Sequence, residues 1–479
     1  MRPINRRHFL WQSAGIGAVL AVSPARAQHD LNGQLNLGLI GLGARGGEHL
    51  RRFGSLPNAR IAALCDTDEA HLSLAAKGHP KAACHTDLRR VLDDPNIDAV
   101  AIATCNHWHA LAAIWACQAG KDVYVEKPLS HSHWEGQQVV RAAEKYDRIV
   151  QVGTQQRSDP LQEELKDFLH AEKILGPIRH VEVCRFGVRA PIGKRSTPLQ
   201  PPATVDYNLW LGPALDQPMY RDKFHYDWHW NWNTGNGEMG NWGVHVLDDA
   251  LNVVFRDDVP FPQRITAAGG RVLWNDAGQT PNACFAHFDT GSVPLLFVLS
   301  NLTDGPTSTR ALNLRGVESG YVIQCEGGYY CGGRGGGAAF DSQDQLVRRF
   351  QGDAGVGHFR NFVDAALAHD RSRLKADVPI GHRSTAWCSM VDVAIRVGGG
   401  YEHNQAVSVD SDSDTWAAMT SMVEHHLGEN SVDVATQFKL SPTLEFDTAT
   451  ERFTGQYANA ANPLLRRNYR QPFAVPEIG

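Results

Sequence analysis

Hydrophobic and polar positions follow a strand-helix rhythm over the first third of the chain. An apolar run at 35–40 gives way to glycines and to a stretch at 48–53 that can be helical, and a second apolar run follows at 60–65. The alternation continues through helix-like 88–93, strand 99–104, helix 110–118, strand 122–125 and helix 134–146. Short apolar runs separated by segments of helical period predict βαβ units. These in turn predict an α/β fold with a parallel, doubly wound sheet ending near Gly153.

The first turn carries chemistry. Gly41-Leu42-Gly43-Ala44-Arg45-Gly46 lies between strand and helix. In such a turn the first glycine permits the tight bend, the second lets backbone approach a pyrophosphate, and the third lets the helix pack on the strand with free N–H groups aimed at the phosphates. Asp66 ends the second strand twenty residues after Gly46, where a carboxylate meets adenosine ribose hydroxyls. These features describe a Rossmann dinucleotide site, with Gly41, Gly43, Ala44, Arg45, Gly46 and Asp66 as cofactor contacts. Asp68 lies close by and no arginine directly follows Asp66, so NAD is preferred; NADP stays open through Arg45. Strand 122–125 runs into Glu126-Lys127-Pro128 at the end of the sheet where open α/β folds bind ligands. Lys127 there is placed to bind a substrate hydroxyl and steady alkoxide character as hydride leaves carbon. The bond to Pro128 is a candidate for the cis form.

Gly41-x-Gly43-x-x-Gly46, Asp66, Thr104-x-Asn106-His107-x-His109 and Glu126-Lys127-Pro128, in this order, resemble the glucose-fructose oxidoreductase/inositol dehydrogenase/rhizopine catabolism family, Gfo/Idh/MocA. Later markers are Asp206-Tyr207-x-x-Trp210-x-Gly212-Pro213, Trp228-His229-Trp230, the run from Gly237 to His245, and Gly357-His358-Phe359-x-Asn361-Phe362. The resemblance implies a nicotinamide-dependent oxidoreductase acting on a carbohydrate CH–OH group, with Thr104, Asn106, His107, His109, Glu126 and Lys127 at the cofactor. It also implies a C-terminal α+β domain built on a large, mostly antiparallel open sheet, and a homodimer or homotetramer formed through that sheet. Strand-like runs at 178–185, 265–274, 283–288, 294–300 and 321–326, and helices at 358–367 and 382–397, fit that domain.

The family pattern pairs an acidic residue with a histidine four positions on. Here the histidine is His245 and the earlier position is Asn241. Lys127, Asn241 and His245 are therefore the expected catalytic set. Histidine can take a hydroxyl proton near neutral pH, whereas asparagine only orients, unless Glu238 or Asp248 supplies the missing charge. Trp228, His229 and Trp230 offer aromatic faces and polar tips suited to a sugar, alongside Lys127, Asn241 and His245. His225 and His229 have i, i+4 spacing but no defined third ligand, so no metal is expected. The glycine-rich run at 332–337 follows a strand without opening a helix and reads as a mobile hairpin or loop.

The ends and the composition add a location. Arg6-Arg7 precedes an apolar run at 14–22, and Ala25-Arg26-Ala27 closes it, so residues 1–27 read as a twin-arginine export signal. Its removal takes the formal charge from −6 to −10 and leaves 452 residues, enough for a Rossmann domain at 35–153 and a substrate domain at 154–479. There is no basic block for nucleic acid and no apolar run of membrane-spanning length. Nine cysteines, an odd number without C-x-x-C spacing, predict reduced buried thiols, with Cys325 and Cys331 as the close pair that a bridge could join. A periplasmic enzyme exported folded by the twin-arginine machinery must carry its NAD tightly bound, since free NAD(P) is scarce outside the cytoplasm. The expected ligand is a small carbohydrate, polyol or glycoside. Transient sugar oxidation by a redox-neutral glycoside hydrolase, lyase or epimerase, and a non-catalytic sugar-binding protein, are the alternative readings.

Overall fold

The computed structural model describes residues 33–410 and 413–479; the export signal expected at 1–27 lies outside them. Six strands, β1 (Leu35–Ile40), β2 (Ala59–Cys65), β3 (Ala83–His85), β4 (Ala99–Ile102), β5 (Asp122–Val125) and β6 (Val150–Val152), pair in parallel in the order β3-β2-β1-β4-β5-β6. The order reverses between β1 and β4, which opens a crevice at the carboxyl ends of the strands. Helices α1 (Ala44–Gly54), α2 (Glu69–Gly78), α3 (Leu88–Leu92), α4 (Asn106–Gln118) and α5 (His133–Lys145) make the crossovers. β1, β4, β5 and β6 are buried along their whole length, which is why they read as apolar runs rather than alternations. β3 and α2 lie on the exposed margin and bury little, α2 only Leu72, so no periodic signal announced them.

The second sheet has twelve strands. Its main path runs β14 (Leu346–Gln351), β13 (Gly336–Asp341), β12 (Gly328–Gly333), β11 (Ser319–Cys325), β7 (Ile178–Phe186), β10 (Leu295–Ser300), β9 (Ala283–Asp289) and β8 (Arg264–Gly270), and every pair in it is antiparallel except β7 with β10. Helices Val244–Val253 and Val378–Val397 pack on one face around Phe288, Phe297, Tyr321 and Trp387. The opposite face is not bare throughout. Trp416 and Met419 of helix Asp414–Glu429 cover Phe285 and Val298 there, while Tyr329 and Phe340 of β12 and β13 remain half-buried and stacked on each other.

The glycine run expected as a mobile hairpin or loop is a hairpin of β12, a two-residue turn at Arg334-Gly335, and β13, with Gly332 opposite Gly337 and Gly333 opposite Gly336. Side chains would not fit between the paired backbones: a Cβ on Gly332 would lie 2.5 Å from Gly337 Cα. The same hairpin excludes the Cys325–Cys331 bridge. Cys331 pairs with Val322 and Cys325 with Gly328, and Cys325 enters the core while Cys331 lies on alternate strand positions to the buried Tyr330; all nine thiols are free.

The two domains interlock beyond the boundary at 153. Phe359 and Phe362 of helix His358–Ala368 pack on Leu37, Phe53 and Tyr124 of the first domain, and Phe473 and Val475 of the C-terminal tail join its other face. A buried arginine ties the hinge region down: Arg157 donates Nε to Asp248 at 2.8 and 2.9 Å, and its two terminal nitrogens to Asp257 at 2.8 and 2.9 Å. Truncating one member of such a set strands the others as buried charges. We expect Arg157→Met to cost about 3–5 kcal/mol in chemical denaturation; a loss under about 1 kcal/mol would show the set to be dispensable.

Candidate active site

A cleft of about 380 Å³ lies between the domains, lined by the glycine turn, Asp66, Thr104 to Asn106, His109, Glu126 and Lys127 on one side. Leu209, Trp210, His225 to Tyr226, Trp228, His229 and Asn241 line the other. Gly41 has φ +86°, donates its N–H to Cys65 O at 2.8 Å, and would place a Cβ 2.6 Å from Ala103 O. A Cβ on Gly46 would strike the Gly41 carbonyl, so the third glycine serves packing and does not itself line the cleft. At Gly43 nothing comes nearer to a Cβ position than His71 Cε1 at 3.9 Å, which leaves bare backbone at the start of α1 for a phosphate. The Asp66 carboxylate is held at the end of β2 by the N–H groups of Leu42 (2.6 Å) and Asp68 (2.8 Å). These groups fit a dinucleotide with its phosphates at α1 and its adenosine ribose at Asp66.

The strand end of β5 holds the densest electrostatics. Glu126 is buried and accepts from Arg45 Nε at 2.7 Å and Gln155 at 3.2 Å, with His49 Nε2 at 2.9 Å. Burial alone would penalise its charge, but Arg45, His49 and Lys127 reverse that and hold its carboxyl well below the usual range. The contact through Nε turns Arg45 toward the end of β5. The Lys127–Pro128 bond is cis, and Lys127 Nζ donates to Asn241 O at 2.5 Å and Asn241 Oδ1 at 3.4 Å. Burial, followed by the nearby charges of Arg45 and Arg334, lowers the Lys127 amine to about 8, against the opposing pull of Glu126 and Glu238.

Asn241 sits in a π-helical turn, Met239–Gly243, that leads into helix Val244–Val253 carrying His245. His245 Nδ1 lies 2.9 Å from an Arg334 guanidinium nitrogen, which can only donate. Its neutral ring therefore bears its proton on Nε2. Burial, then Arg334, Lys127, Arg45 and Arg185, keep that ring neutral by pushing its pKa well below the ordinary value. This contradicts the expectation of His245 as the proton acceptor. Neither proposed substitute carboxylate reaches it: Glu238 is bound by Arg185 (2.8 and 3.0 Å), Arg189 (3.0 Å) and Asn241 (3.2 Å), and Asp248 by Arg157 and Ser384.

Several expected contacts fall elsewhere. His107 lies outside the cleft, buried between Thr234 O and Trp210 O, where burial lowers its pKa to about 3; it joins α4 to the second domain. His109 does line the cleft, with Nδ1 2.7 Å from Pro128 O and Nε2 3.1 Å from Thr104 O. Trp228 and His229 stack at 3.6 Å in the cleft wall, but Trp230 is buried beneath, with Arg189 5.7 Å from its ring centroid. His225 meets Asp68 at 3.0 Å and His71 at 4.7 Å between rings, so it joins Asp68 and His71, not His229, in one of the two groups of metal-ligand type among the described residues, the other being His133, His382 and Glu451. The His225–Asp68 contact belongs to a strap: Asp206 N–H donates to Thr67 O at 2.8 Å and Glu69 N–H to Thr204 O at 2.9 Å, drawing the second domain over the loop after β2. Arg334, Arg185 and Arg189 were not anticipated; Arg334, the one large side chain in a glycine run, was the available signal.

Two family models match the chain. Residues 35–154 fit the description "Oxidoreductase family, NAD-binding Rossmann fold" and residues 190–290 "Oxidoreductase family, C-terminal alpha/beta domain", both of Gfo/Idh/MocA. These two segments, together under half of the chain, are similar to that family. The chain's first domain is an NAD-binding Rossmann domain. Among relatives of this family, inositol 2-dehydrogenase 2 of Saccharopolyspora erythraea is 36% identical over 142 residues, 29% of this chain and 42% of that enzyme. Inositol 2-dehydrogenase of Paracoccus denitrificans is 35% identical over 129 residues, 26% of this chain and 38% of that enzyme. The chain thus spans under half the length of these relatives. Over 75% of this chain and 96% of the other, the fold matches levoglucosan dehydrogenase in complex with NADH and levoglucosan, with a TM-score of 0.57 at 18% identity. The WlbA dehydrogenase from Bordetella pertussis in complex with NADH and UDP-GlcNAcA gives 0.56 at 18% identity, covering 75% of this chain and 95% of that one.

The geometry of the glycine turn sharpens one expectation. Gly41→Ala forces a left-handed φ on alanine and a clash with Ala103, a strain of about 1–3 kcal/mol. NAD titration followed by fluorescence should show affinity reduced roughly 10- to 100-fold; unchanged affinity would separate the turn from the dinucleotide.

Proposed function

We propose that the protein is an NAD-dependent oxidoreductase of a carbohydrate, polyol or glycoside CH–OH group, exported folded to the periplasm by the twin-arginine machinery with its nucleotide retained. The observation that carries the reading is the half-buried Lys127 amine, lowered to about 8, lying between the glycine-turn domain and Asn241 at the carboxyl end of β5. When bound, NAD supplies the nicotinamide carbon that takes the hydride. The chain's own residues then handle the hydroxyl. Its proton passes to the neutral Lys127 amine as the C–O bond gains double-bond character, since Asn241 cannot titrate and His245 Nδ1 is engaged by Arg334. Asn241 Oδ1 positions the lysine, and His245 offers Nε2–H as a donor to the substrate oxygen. Trp228 and His229 give the sugar a face to stack on.

Retention is supported by the strap at Thr204 to Asp206 and by the His225–Asp68 contact, which draw the second domain across the ribose end of the cleft. The inositol and levoglucosan dehydrogenases among the relatives support a sugar or polyol substrate. We further propose a homodimer or homotetramer formed through the part of the second sheet left half-exposed at β12 and β13.

Protein isolated without added nucleotide should develop absorbance near 340 nm when its sugar is supplied. The rate should rise with pH through about 8, because only the deprotonated Lys127 accepts the proton. Lys127→Ala should abolish the signal while nucleotide stays bound, and Lys127→Arg should not restore it, arginine being unable to titrate. Full activity in Lys127→Ala, or a rate that falls as pH rises through 8, would overturn the assignment.

A further inference from the structure

The charges around Lys127 do not balance. Arg185 and Arg189 both bind the buried Glu238 carboxylate. Glu126 is matched by Arg45. Arg334 has no carboxylate partner among the described residues: its contacts are His245 Nδ1 at 2.9 Å and the Trp242 ring at 5.8 Å, and its Nε is buried without a partner. Trp242 also carries Arg185 over its ring at 4.4 Å, so guanidinium groups surround one indole. Asp249, one turn beyond His245 on the same helix, is buried with neither carboxylate oxygen hydrogen-bonded, and burial pushes its carboxyl up to about 7 against the opposing charge of Arg334, which does not come within ion-pair distance of it. Arg185 and Arg189 thus share the one carboxylate of Glu238, Lys127 lies between the pulls of Glu126 and Glu238, and Arg334 is left with no carboxylate at hydrogen-bond distance among the described residues. Asn241, where the family pattern places an acid, withholds a second negative charge.

Uncompensated cations in a desolvated site are costly, and a ligand that brings an anion relieves that cost. A guanidinium is suited to this, since its planar donors match a carboxylate or sulfate in two parallel hydrogen bonds. A neutral sugar would leave the surplus charge unmet.

We propose that the substrate is an anionic carbohydrate, a sugar bearing a carboxylate or sulfate group, and that Arg334 at the tip of the β12–β13 hairpin is its anion-recognising residue. The proposal rests on the carbohydrate reading above but makes a separate claim about charge. Arg334 meets the anion through guanidinium nitrogens not engaged by His245, so that binding of the anion and the donor state of His245 are set by one side chain. Discrimination between anionic and neutral sugars follows from a single hairpin residue rather than from the shape of the aromatic wall.

The test uses the NAD-loaded protein and matched probes in gluco, galacto and manno configuration: methyl glycosides, methyl uronides and methyl glycoside 6-sulfates. Calorimetry and the rate at 340 nm are both read. At least one anionic probe should bind about tenfold more tightly than its neutral partner, and sulfate against uronide identifies which anion is preferred. Arg334→Gln should raise the Kd of that probe more than that of its neutral partner, with Arg334→Lys intermediate because it keeps the charge but not the fork. If no anionic probe binds better than its neutral partner, the proposal is wrong, and neutral sugars still oxidised would leave the enzyme reading standing. If anionic probes bind preferentially but none is oxidised, the charge assignment holds and the hydride-transfer reading fails. An anion preference that survives Arg334→Gln unchanged would also overturn the role given to Arg334.

Discussion

The carboxylate of Glu126 is the constraint around which the site is organised. It is buried at the end of β5, where an isolated charge would be intolerable, and it is ionised only because Arg45, His49 and Lys127 surround it. Gly153 must be glycine for the same reason, since a Cβ there would lie 2.9 Å from the carboxylate. Through Arg45 the group fixes the first turn of α1, and through Gln155 it reaches the segment that enters the second domain. The glycine turn and the lysine are therefore parts of one electrostatic unit. Arg45 is drawn toward the reactive end of the cleft.

That unit would be incomplete without the second domain. Asn241 receives Lys127 from the π-helical turn, Arg334 arrives from a hairpin of the antiparallel sheet, and both bear on the same amine. Burial draws the lysine toward neutrality while Glu126 and Glu238 draw it back, and the balance near 8 makes it able to exchange a proton at ordinary pH. His245 is pushed the other way. With a guanidinium on Nδ1 it becomes a fixed donor, and the proposed reaction therefore gives the proton to the lysine.

Much of the first domain was legible because it is buried on both faces, and such strands print themselves as continuous apolar runs between turns. The spacing of Gly41, Gly43, Gly46, Asp66 and Lys127 carried the site for a related reason: each is demanded by local geometry that a chain position records. What the spacing did not record were contacts made between distant segments. Nothing near His245 in the chain points to Arg334, and nothing near Arg185 points to Glu238. His107 was misplaced because a motif names a segment, and successive residues of a helix point different ways; His109 faces the cleft and His107 faces Trp210. The run at 332–337 read as a hairpin or loop without locating its strands, because glycine is depleted in strands. Here the close pairing of Gly332 with Gly337 requires it.

The account depends on an amine held near neutrality by its surroundings, and this can be read without any substrate. In protein labelled at the lysine ε-carbon, the resonance assigned by its loss in Lys127→Met should titrate by NMR with a midpoint near 8. A midpoint at the ordinary lysine value of about 10.4 would contradict the central claim that the buried Glu126–Lys127–Asn241 arrangement prepares Lys127 to accept a proton.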